Sequence, residues 1–402
     1  MSATRCAPRA SRIRVKDGGT GRVSHSFVEN GSAVGGRELR ILVVVALSAV
    51  ACGPGGGIVG APSPSAPPVI ETIIQSGLVV PWDLAVAADG RLFVTERPGT
   101  IDLFESAAPM AKRVATTQVP GVRAMGEAGL LGLALDPDFA ANGSLYVCAS
   151  RMDQGEWRNQ VIRYHVASAS LTLEAVILRS GIAAAGIHDA CRLRFGPDQK
   201  LWIATGDGGV PGHAQDPASL NGKVLRINAD GSVPADNPLP RGASSPGPVY
   251  ALGLRNPGGI TFQPETGACY VVDAGDQMQD EIDIVTPGAN FGWPTTLGPG
   301  GVARGFADPV WSSGSVSFAV SGAAFISGDE WGAWNGSLVV ATLKEQDLRR
   351  FSIDGTHVVA HEILMDQRYG RLRGLVAAPD GALIVTTSNG SGDRIVRIAP
   401  IR

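Results

Sequence analysis

The stretch AGIHDACRLRFGPDQKLWIATGDGG, residues 185–209, contains a histidine and an aspartate whose positions suit proton transfer. His188 precedes a short apolar run, and Asp207 ends a second apolar run beyond a turn. If the two runs pair as an antiparallel hairpin, the second strand returns to the end where the first began and brings Asp207 to His188. The carboxylate could then hold one ring nitrogen and leave the other free to accept a proton, which is the arrangement of a general base.

The same hairpin pattern, an apolar run, an acidic or glycine turn and a second apolar run, occurs six times. The six copies are WDLAVAADGRLFVTE, GLLGLALDPDFAANGSLYVCA, CRLRFGPDQKLWIATGD, GGITFQPETGACYVVDAG, GAAFISGDEWGAWNGSLVVATLK and RGLVAAPDGALIVTTSN. This repeat predicts an all-β, six-bladed β-propeller, in which the segment after Val69 and the final DRIVRIAP share the blade that closes the ring. The alternative, a pair of β-sandwiches, would not need the same hairpin so often.

In a propeller the inner strands all run the same way, so equivalent repeat positions gather at one mouth of the central channel. Side chains that could act there stand before the first strand or at the end of the second strand of successive hairpins. They are Glu127, His188, Asp207, Arg255, Asn256, Gly275, Asp276, Lys344, Arg371 and Arg373.

Four cations crowded into one mouth would repel one another, so the sequence predicts a compact or flat polyanionic ligand. The whole chain is only slightly acidic, at a formal net charge of −3, and no basic stripe points to nucleic acid. A cationic mouth also disfavours a calcium lactonase, whose channel presents acids and amides to a metal.

The chain from about Val80 to Ile398 resembles the soluble sugar dehydrogenases that use pyrroloquinoline quinone (PQQ), the glucose/sorbosone dehydrogenase family, and most of all its aldose sugar dehydrogenase branch. Several motifs carry the resemblance in order: GEAGLLGLALDPDF, HDACRLRFGPDQKLWIATGDGG, NGKVLRIN, GLRNPGGITF, DEIDIVTPGANFGWP and GRLRGLVAAPDGAL. The resemblance implies oxidation of an aldose to its lactone by hydride transfer to PQQ, with the electrons passed to an external acceptor.

The resemblance also implies roles for the residues of the mouth. His188 matches the base that takes the proton of the anomeric hydroxyl, and Asp207 matches the carboxylate that orients it. Arg255 matches the arginine that polarises the reactive quinone carbonyl, with Asn256 beside it on the cofactor. The positions that pair with the carboxylates of PQQ correspond to Lys344, Arg371 and Arg373.

Calcium enters by the same resemblance in two places. One ion bridges the quinone to the backbone carbonyls of Gly275 and Asp276, and a second, structural ion is bound by Glu281 and the carbonyl of Phe291. Without the resemblance, Glu281 and its acidic neighbours are equally consistent with a solvated acidic turn.

Some positions depart from the family's pattern. Ala190 and Cys191 replace small residues and are expected to crowd a cofactor stacked nearby. Glu127 stands where a glutamine is common and would repel an anionic quinone unless an arginine pairs with it, and Ala274 and Asp276 also differ.

The first 68 residues do not resemble a folded domain. GRELRILVVVALSAVAC, residues 36–52, has two arginines, an apolar run too short to span a bilayer and small residues before Cys52, which predicts an exported lipoprotein lipidated at Cys52. A simple secretion signal is the alternative, and the long polar start suggests an overcalled start codon. Residues 53–68, rich in Gly and Pro, predict a tether to a propeller domain at 69–402 on the extracytoplasmic face of the membrane.

Two questions stay open at this stage. Of Cys148, Cys191 and Cys269 at most one pair can form a disulfide, and the spacing does not identify it. The competing function is a surface-anchored propeller that binds carbohydrate or a protein partner without turnover, and the pairing of His188 with Asp207 favours the enzyme.

Overall fold

The computed structural model describes residues 67–239 and 244–401, and its strands form six four-stranded antiparallel sheets. We call these sheets blades 1 to 6. Blade 1 contains β2 (Pro81–Val86), β3 (Leu92–Glu96), β4 (Thr100–Phe104) and β5 (Arg113–Gln118). Blade 2 contains β6 (Leu130–Leu135), β7 (Ser144–Asp153), β8 (Glu156–Ala167) and β9 (Ser170–Leu178). Blade 3 contains β10 (Cys191–Phe195), β11 (Leu201–Thr205), β12 (Lys223–Ile227) and β13 (Val249–Leu252).

The second half of the ring repeats this plan. Blade 4 contains β14 (Pro257–Phe262), β15 (Cys269–Asp273), β16 (Glu281–Val285) and β17 (Trp311–Ser312). Blade 5 contains β18 (Val320–Phe325), β19 (Leu338–Thr342), β20 (Leu348–Asp354) and β21 (His357–Leu364). Blade 6 contains β22 (Leu372–Ala377), β23 (Leu383–Thr387), β24 (Asp393–Pro400) and, as its outer strand, β1 (Val69–Leu78). In the part of the chain that the structure describes, helix is confined to short segments: α1 (Phe139–Asn142) and 3₁₀ turns at Pro211–Ala214, Val302–Arg304 and Asp329–Trp334.

The first strands of the blades contact their neighbours around the ring, and β2 of blade 1 contacts β22 of blade 6. The prediction of a six-bladed β-propeller is therefore confirmed. Each predicted repeat is the inner hairpin of one blade, and the N-terminal strand closes the ring by pairing with β24 from Val69–Pro400 to Leu78–Asp393.

The core lies between the blades, where buried apolar residues of adjacent sheets form the main clusters. Close approach of neighbouring inner strands requires glycine at some positions. A Cβ on Gly132 of β6 would lie 2.3 Å from the carbonyl oxygen of Cys191 in β10, and one on Gly322 of β18 would lie 2.4 Å from that of Arg373. Any side chain at these positions would push two blades apart.

Cys148 of β7 and Cys191 of β10 form a disulfide, and Cys269 is a buried free thiol. The disulfide links blade 2 to blade 3 and closes a loop of 43 residues. In the chain-entropy model a loop of this length stabilises the fold by about 4 kcal/mol.

The predicted export signal, the lipidation site Cys52 and nearly all of the predicted tether lie outside the described residues. Within 67–239 and 244–401, no helix is long and apolar enough to cross a membrane.

Candidate active site

The predicted site residues of blades 2 to 6 gather at the mouth of the channel where the inner strands begin. Antiparallel register brings the end of each second strand to the start of the first, as in the pairs Cys191–Thr205, Pro257–Asp273 and Leu372–Thr387. One end of the propeller therefore holds both the residues that precede the first strands β6, β10, β14 and β22 and the residues that follow the second strands β11, β15 and β19. Arg373 differs from prediction in one detail, because it lies within β22 rather than before it.

His188 and Asp207 are in direct contact. Nδ1 of the imidazole lies 2.7 Å from Oδ1 of the carboxylate. The Asp207 side chain is fully buried, whereas 13% of the His188 side chain remains exposed. A carboxylate at Nδ1 favours the tautomer with the proton on that nitrogen, so Nε2 of neutral His188 carries the lone pair that can accept a proton.

Further donors hold Asp207 in place. Trp293 Nε1 donates to its Oδ2 at 2.9 Å, Gly209 N donates to its Oδ1, and its own amide donates to the carbonyl of Arg255. Burial alone would favour the neutral acid, but the hydrogen bonds from His188 and Trp293 outweigh it and lower the pKa of Asp207. Asp207 is therefore ionised at neutral pH and can stabilise a positive charge on His188. Trp293 was not predicted as a site residue, although it lies in the motif ending NFGWP.

The backbone of His188 adopts a left-handed conformation with φ of 51°, which is uncommon for a residue with a side chain. Its carbonyl packs against the turn after β11, where Gly208 N donates to it and a Cβ on Gly206 would lie only 2.0 Å from it. Glycine at 206 thus lets the base and its carboxylate partner approach each other.

Arg255 and Asn256 are fixed by a buried carboxylate that sequence reasoning missed. Asp273, the last residue of β15, accepts hydrogen bonds from both of their backbone amides at 2.7 Å. Asp273 stands at nearly the same repeat position in blade 4 as Asp207 in blade 3, so a comparison of the repeats would have identified it as a site residue. Arg255 stacks over Trp293 at 5.5 Å, and its buried Nε has no hydrogen-bond partner among the described residues.

Three further cations line the side of the mouth formed by blades 5 and 6. Lys344 is exposed two residues beyond β19, and Arg371 Nη1 donates to the carbonyl of the adjacent Leu343 at 3.3 Å. Arg373 is half-buried, with Nε donating to Ser388. Burial, together with like-charge repulsion from Arg192, Arg371 and Arg97, lowers the pKa of Arg373 to about 9. Keeping Arg373 protonated at this position therefore costs free energy, and a bound anion would reduce that cost.

The channel beneath the mouth contains buried side chains that were not predicted. Arg192 is fully buried, lies 4.0 Å from the ring of Trp82 and pairs with Asp83 at 2.7 Å. Arg373 packs over the same indole at 5.8 Å. Asp83 also pairs with Arg194. Its single negative charge therefore faces two guanidinium groups, and the net charge beneath the mouth is positive.

Residues 78–397 match the glucose/sorbosone dehydrogenase family. The chain belongs to this family. It is 29% identical to the aldose sugar dehydrogenase of Escherichia coli over 347 residues, which is 82% of this chain and 92% of the relative. It is 35% identical to quinoprotein glucose dehydrogenase B of Acinetobacter calcoaceticus over 257 residues, 57% of this chain and 53% of that protein.

The structure also superimposes on the PQQ-bound aldose sugar dehydrogenase of Streptomyces coelicolor, with a TM-score of 0.71 and 31% identity over 83% of this chain and 99% of the other. These similarities confirm the predicted resemblance to the PQQ-dependent soluble sugar dehydrogenases.

In this family member, Glu127 is not isolated among the cations. Its Oε2 accepts a hydrogen bond from Asn256 Nδ2 at 3.2 Å, and its charge raises the pKa of Arg373, partly opposing the burial that lowers it. Among the described residues, the side-chain partner of the Glu127 carboxylate is therefore the amide of Asn256, and Arg373 interacts with it only through the electrostatic effect of its charge.

The predicted crowding by Cys191 is wrong. Its side chain is fully buried in the disulfide, among the apolar residues between blades 2 and 3, and does not face the mouth. Ala190 is also buried, and its amide donates to Asn256 Oδ1 at 3.2 Å. The Cys191 side chain therefore joins blades 2 and 3, and the contact of Ala190 with Asn256 comes from its backbone.

The residues of the two predicted calcium sites lie in different surroundings. Gly275 and Asp276 border the mouth, where Asp276 Oδ1 lies 3.4 Å from Arg255 Nη2. Glu281 is buried at the start of β16 and accepts a hydrogen bond from Gly298 N, whereas the Phe291 amide donates to Leu252. In the described ranges no group of three or more His, Cys, Asp or Glu side chains is arranged to hold a metal.

Glu281 nevertheless lies close to other carboxylates. Burial, together with the negative charge of the nearby Asp273, raises the pKa of Glu281 to about 8. Asp283 is fully buried with both carboxylate oxygens unpartnered among the described residues, and its pKa is raised by burial and by Glu281. A divalent cation would compensate this buried acidity, because carboxylate oxygens are among the ligands that Ca²⁺ prefers.

Asp189, next to the base, gives a testable pH dependence. It is 1% exposed, and burial raises its pKa from 3.8 to about 6, although Ala185 N donates to Oδ1. Because the folded pKa exceeds the unfolded one, this group stabilises the fold less as the pH rises from about 4 to about 6. The Asp189→Asn variant should therefore gain on the order of 2–3 kcal/mol relative to wild type at pH 8 and much less at pH 4.

Urea unfolding at both pH values measures this difference. The Asp354→Asn variant, at the exposed end of β20 in blade 5, serves as the control. An equal effect of Asp189→Asn at pH 4 and pH 8 would contradict the assignment of a raised pKa to this carboxyl group.

Proposed function

We propose that this protein oxidises an aldose at C1 to the corresponding lactone, with PQQ as its bound cofactor and an external molecule as the final electron acceptor. The observation that carries the proposal is the buried His188–Asp207 pair at a mouth lined by Arg255, Lys344 and Arg373. A general base beside a polycationic pocket suits a reaction in which a hydroxyl proton leaves near an anionic cofactor.

The residues of the mouth fit PQQ, which is flat and carries three carboxylates. Lys344, Arg371 and Arg373 would hold its carboxylates, and Arg255, with its buried unpartnered Nε, would lie against a quinone oxygen. Bound PQQ would supply the electrophilic carbon that accepts the hydride from C1 of the sugar.

The chain's own residues would move the proton. Nε2 of His188 takes the proton from the anomeric hydroxyl as the C1–H bond breaks and the lactone carbonyl forms. Asp207 stays ionised and stabilises the resulting imidazolium, while Trp293 and Gly209 keep the carboxylate aimed at Nδ1. Asp273 keeps Arg255 and Asn256 at the rim of the same cavity.

The direct test is reconstitution. Purified apoprotein with PQQ and Ca²⁺ should reduce a redox dye when aldoses are added, and each component omitted singly should abolish or reduce the rate. Ketoses and alditols, which lack an oxidisable hemiacetal at C1, are the controls. Absence of activity with every aldose in the presence of bound PQQ would favour the alternative, a propeller that binds carbohydrate or protein without turnover.

Calcium at Glu281 is part of the proposal, supported by the uncompensated buried carboxylates around it. Ca²⁺ at 100 times its Kd should stabilise the apoprotein by about 2.7 kcal/mol. A thermal unfolding series with added Ca²⁺, reversed by EDTA, measures this effect. Glu281→Gln should abolish the response, and Glu265→Gln, at an exposed turn of blade 4, should retain it. An equal response in both variants would place the ion elsewhere.

We also propose that the protein is exported and anchored through a lipid on Cys52 at the extracytoplasmic side of a bacterial membrane. The Cys148–Cys191 disulfide supports export, because structural disulfides persist in oxidising compartments. Mass spectrometry of the mature N-terminus would test it.

A further inference from the structure

The Cys148–Cys191 disulfide lies next to the proposed base. Cys191 is the first residue of β10 and follows His188 by three positions, whereas Cys148 lies in the middle of β7 in blade 2. Both residues are fully buried in the same apolar cluster. Blade 2 is therefore covalently attached to the strand that begins just after the base.

The other end of the segment that carries His188 is also attached to blade 2. Ala184 N donates to the carbonyl of Trp157 at 3.1 Å, and Ala183 forms a β-bridge with Arg158. The carbonyl of Gly186 accepts a hydrogen bond from Glu127 N at 2.9 Å. Residues 183–191 thus form a bridge anchored on blade 2 at both ends, with the base between the anchors.

The backbone of His188 needs such anchors. A left-handed φ at a residue with a side chain is strained and persists only where surrounding contacts enforce it. The contacts on the blade 3 and blade 4 side are hydrogen bonds, from Gly208 N to the His188 carbonyl and from Ala190 N to Asn256 Oδ1. The disulfide is the covalent anchor on the side of β10.

We propose that the Cys148–Cys191 disulfide is a positioning element for His188: it holds the base in its left-handed conformation and thereby sets the turnover rate rather than the affinity for cofactor. This inference rests on the proposed function. The cations that would hold PQQ come from blades 4, 5 and 6, so loss of the disulfide leaves them in place. A displacement of a catalytic group by about 1 Å can reduce the rate about 100-fold.

The test compares holoenzymes of wild type and the Cys148→Ala/Cys191→Ala double variant. Turnover is measured per bound PQQ, at saturating aldose and at a temperature well below both unfolding midpoints. We expect kcat to fall by about 10-fold or more, while the Kd for PQQ and the KM for the aldose change by less than about twofold. A disulfide that only stabilised the fold would lower Tm and leave kcat unchanged.

Cys269→Ala is the matched control. It removes the remaining buried cysteine of the described residues, at the start of β15, four residues before the end that carries Asp273. Its kcat should equal that of wild type. A double variant whose kcat is within twofold of wild type would overturn the inference.

If the double variant fails to fold, wild-type holoenzyme can be equilibrated in glutathione buffers of graded ratio and then freed of glutathione by gel filtration. The kcat should fall in proportion to the fraction of protein with Cys148 and Cys191 reduced, measured by mass spectrometry after alkylation of a separate aliquot. Full reduction with unchanged kcat would overturn the inference. If wild type is active and the reduced protein is equally active, this inference alone is refuted. If wild type itself is inactive, the proposed function is refuted and the inference with it.

Discussion

Replacing His188 with alanine should lower kcat by about 10²- to 10⁴-fold, the range typical of a lost general base. The variant removes Nε2, the nitrogen left free by the contact between Nδ1 and Asp207. PQQ affinity should change little, because the cations of the mouth are untouched. Steady-state dye reduction and a PQQ titration monitored by absorbance measure the two quantities separately.

His165→Ala is the matched control for this variant. His165 is exposed near the end of β8, with Nδ1 3.1 Å from the carbonyl of Asn142, and it lies in no contact with the mouth residues described above. Its kcat should equal that of wild type. Equal kcat in wild type and His188→Ala would show that another group takes the proton.

Replacing Arg373 with alanine should weaken PQQ binding by about 2–5 kcal/mol, the usual cost of truncating one partner of a desolvated charge pair, which corresponds to about 30- to 5000-fold in Kd. The apoprotein should not lose stability to the same extent. Burial and three neighbouring arginines lower the pKa of Arg373 to about 9, so its charge is held at a cost in the absence of an anion.

Thermal unfolding of the apoprotein and equilibrium PQQ titration test both parts of this prediction. Arg394→Ala removes an exposed arginine from β24, the third strand of blade 6, and is the control for loss of one positive charge outside the inner strands. Arg373→Ala with unchanged PQQ affinity would contradict the proposal that this guanidinium binds the cofactor.

The sequence predicted the ring and much of the site because the propeller converts repeat position into spatial position. His188 and Asp207 could be placed together from the hairpin alone, and β15 shows that the same logic would also have found Asp273. Arg371 and Lys344 were found in this way, since the turns that carry them lie against each other.

Other parts of the site depend on contacts that no local pattern encodes. Trp293 reaches Asp207 from a loop 86 residues further along the chain, and Arg192 contacts Trp82 across 110 residues through the centre of the channel. Three cysteines left the disulfide pairing open, and the sequence therefore did not show that Cys191 is bonded to Cys148. The expectation that Cys191 would crowd the cofactor was wrong for this reason. Whether the side chain of a strand's first residue faces the channel or a neighbouring blade depends on how two blades pack. The sequence of one blade alone does not show it.

The most direct test of the central claim, that this mouth holds PQQ beside a base that acts on an aldose, is an anaerobic single-turnover experiment. Apoprotein is loaded with PQQ and Ca²⁺, freed of excess cofactor and mixed with an aldose while the absorbance of the quinone is followed. We expect one PQQ bound per chain and its full reduction by the sugar, and we expect the His188→Ala variant to retain the bound quinone in oxidised form. Stoichiometric PQQ that stays oxidised with every aldose, or reduction at equal rates in wild type and His188→Ala, would contradict it.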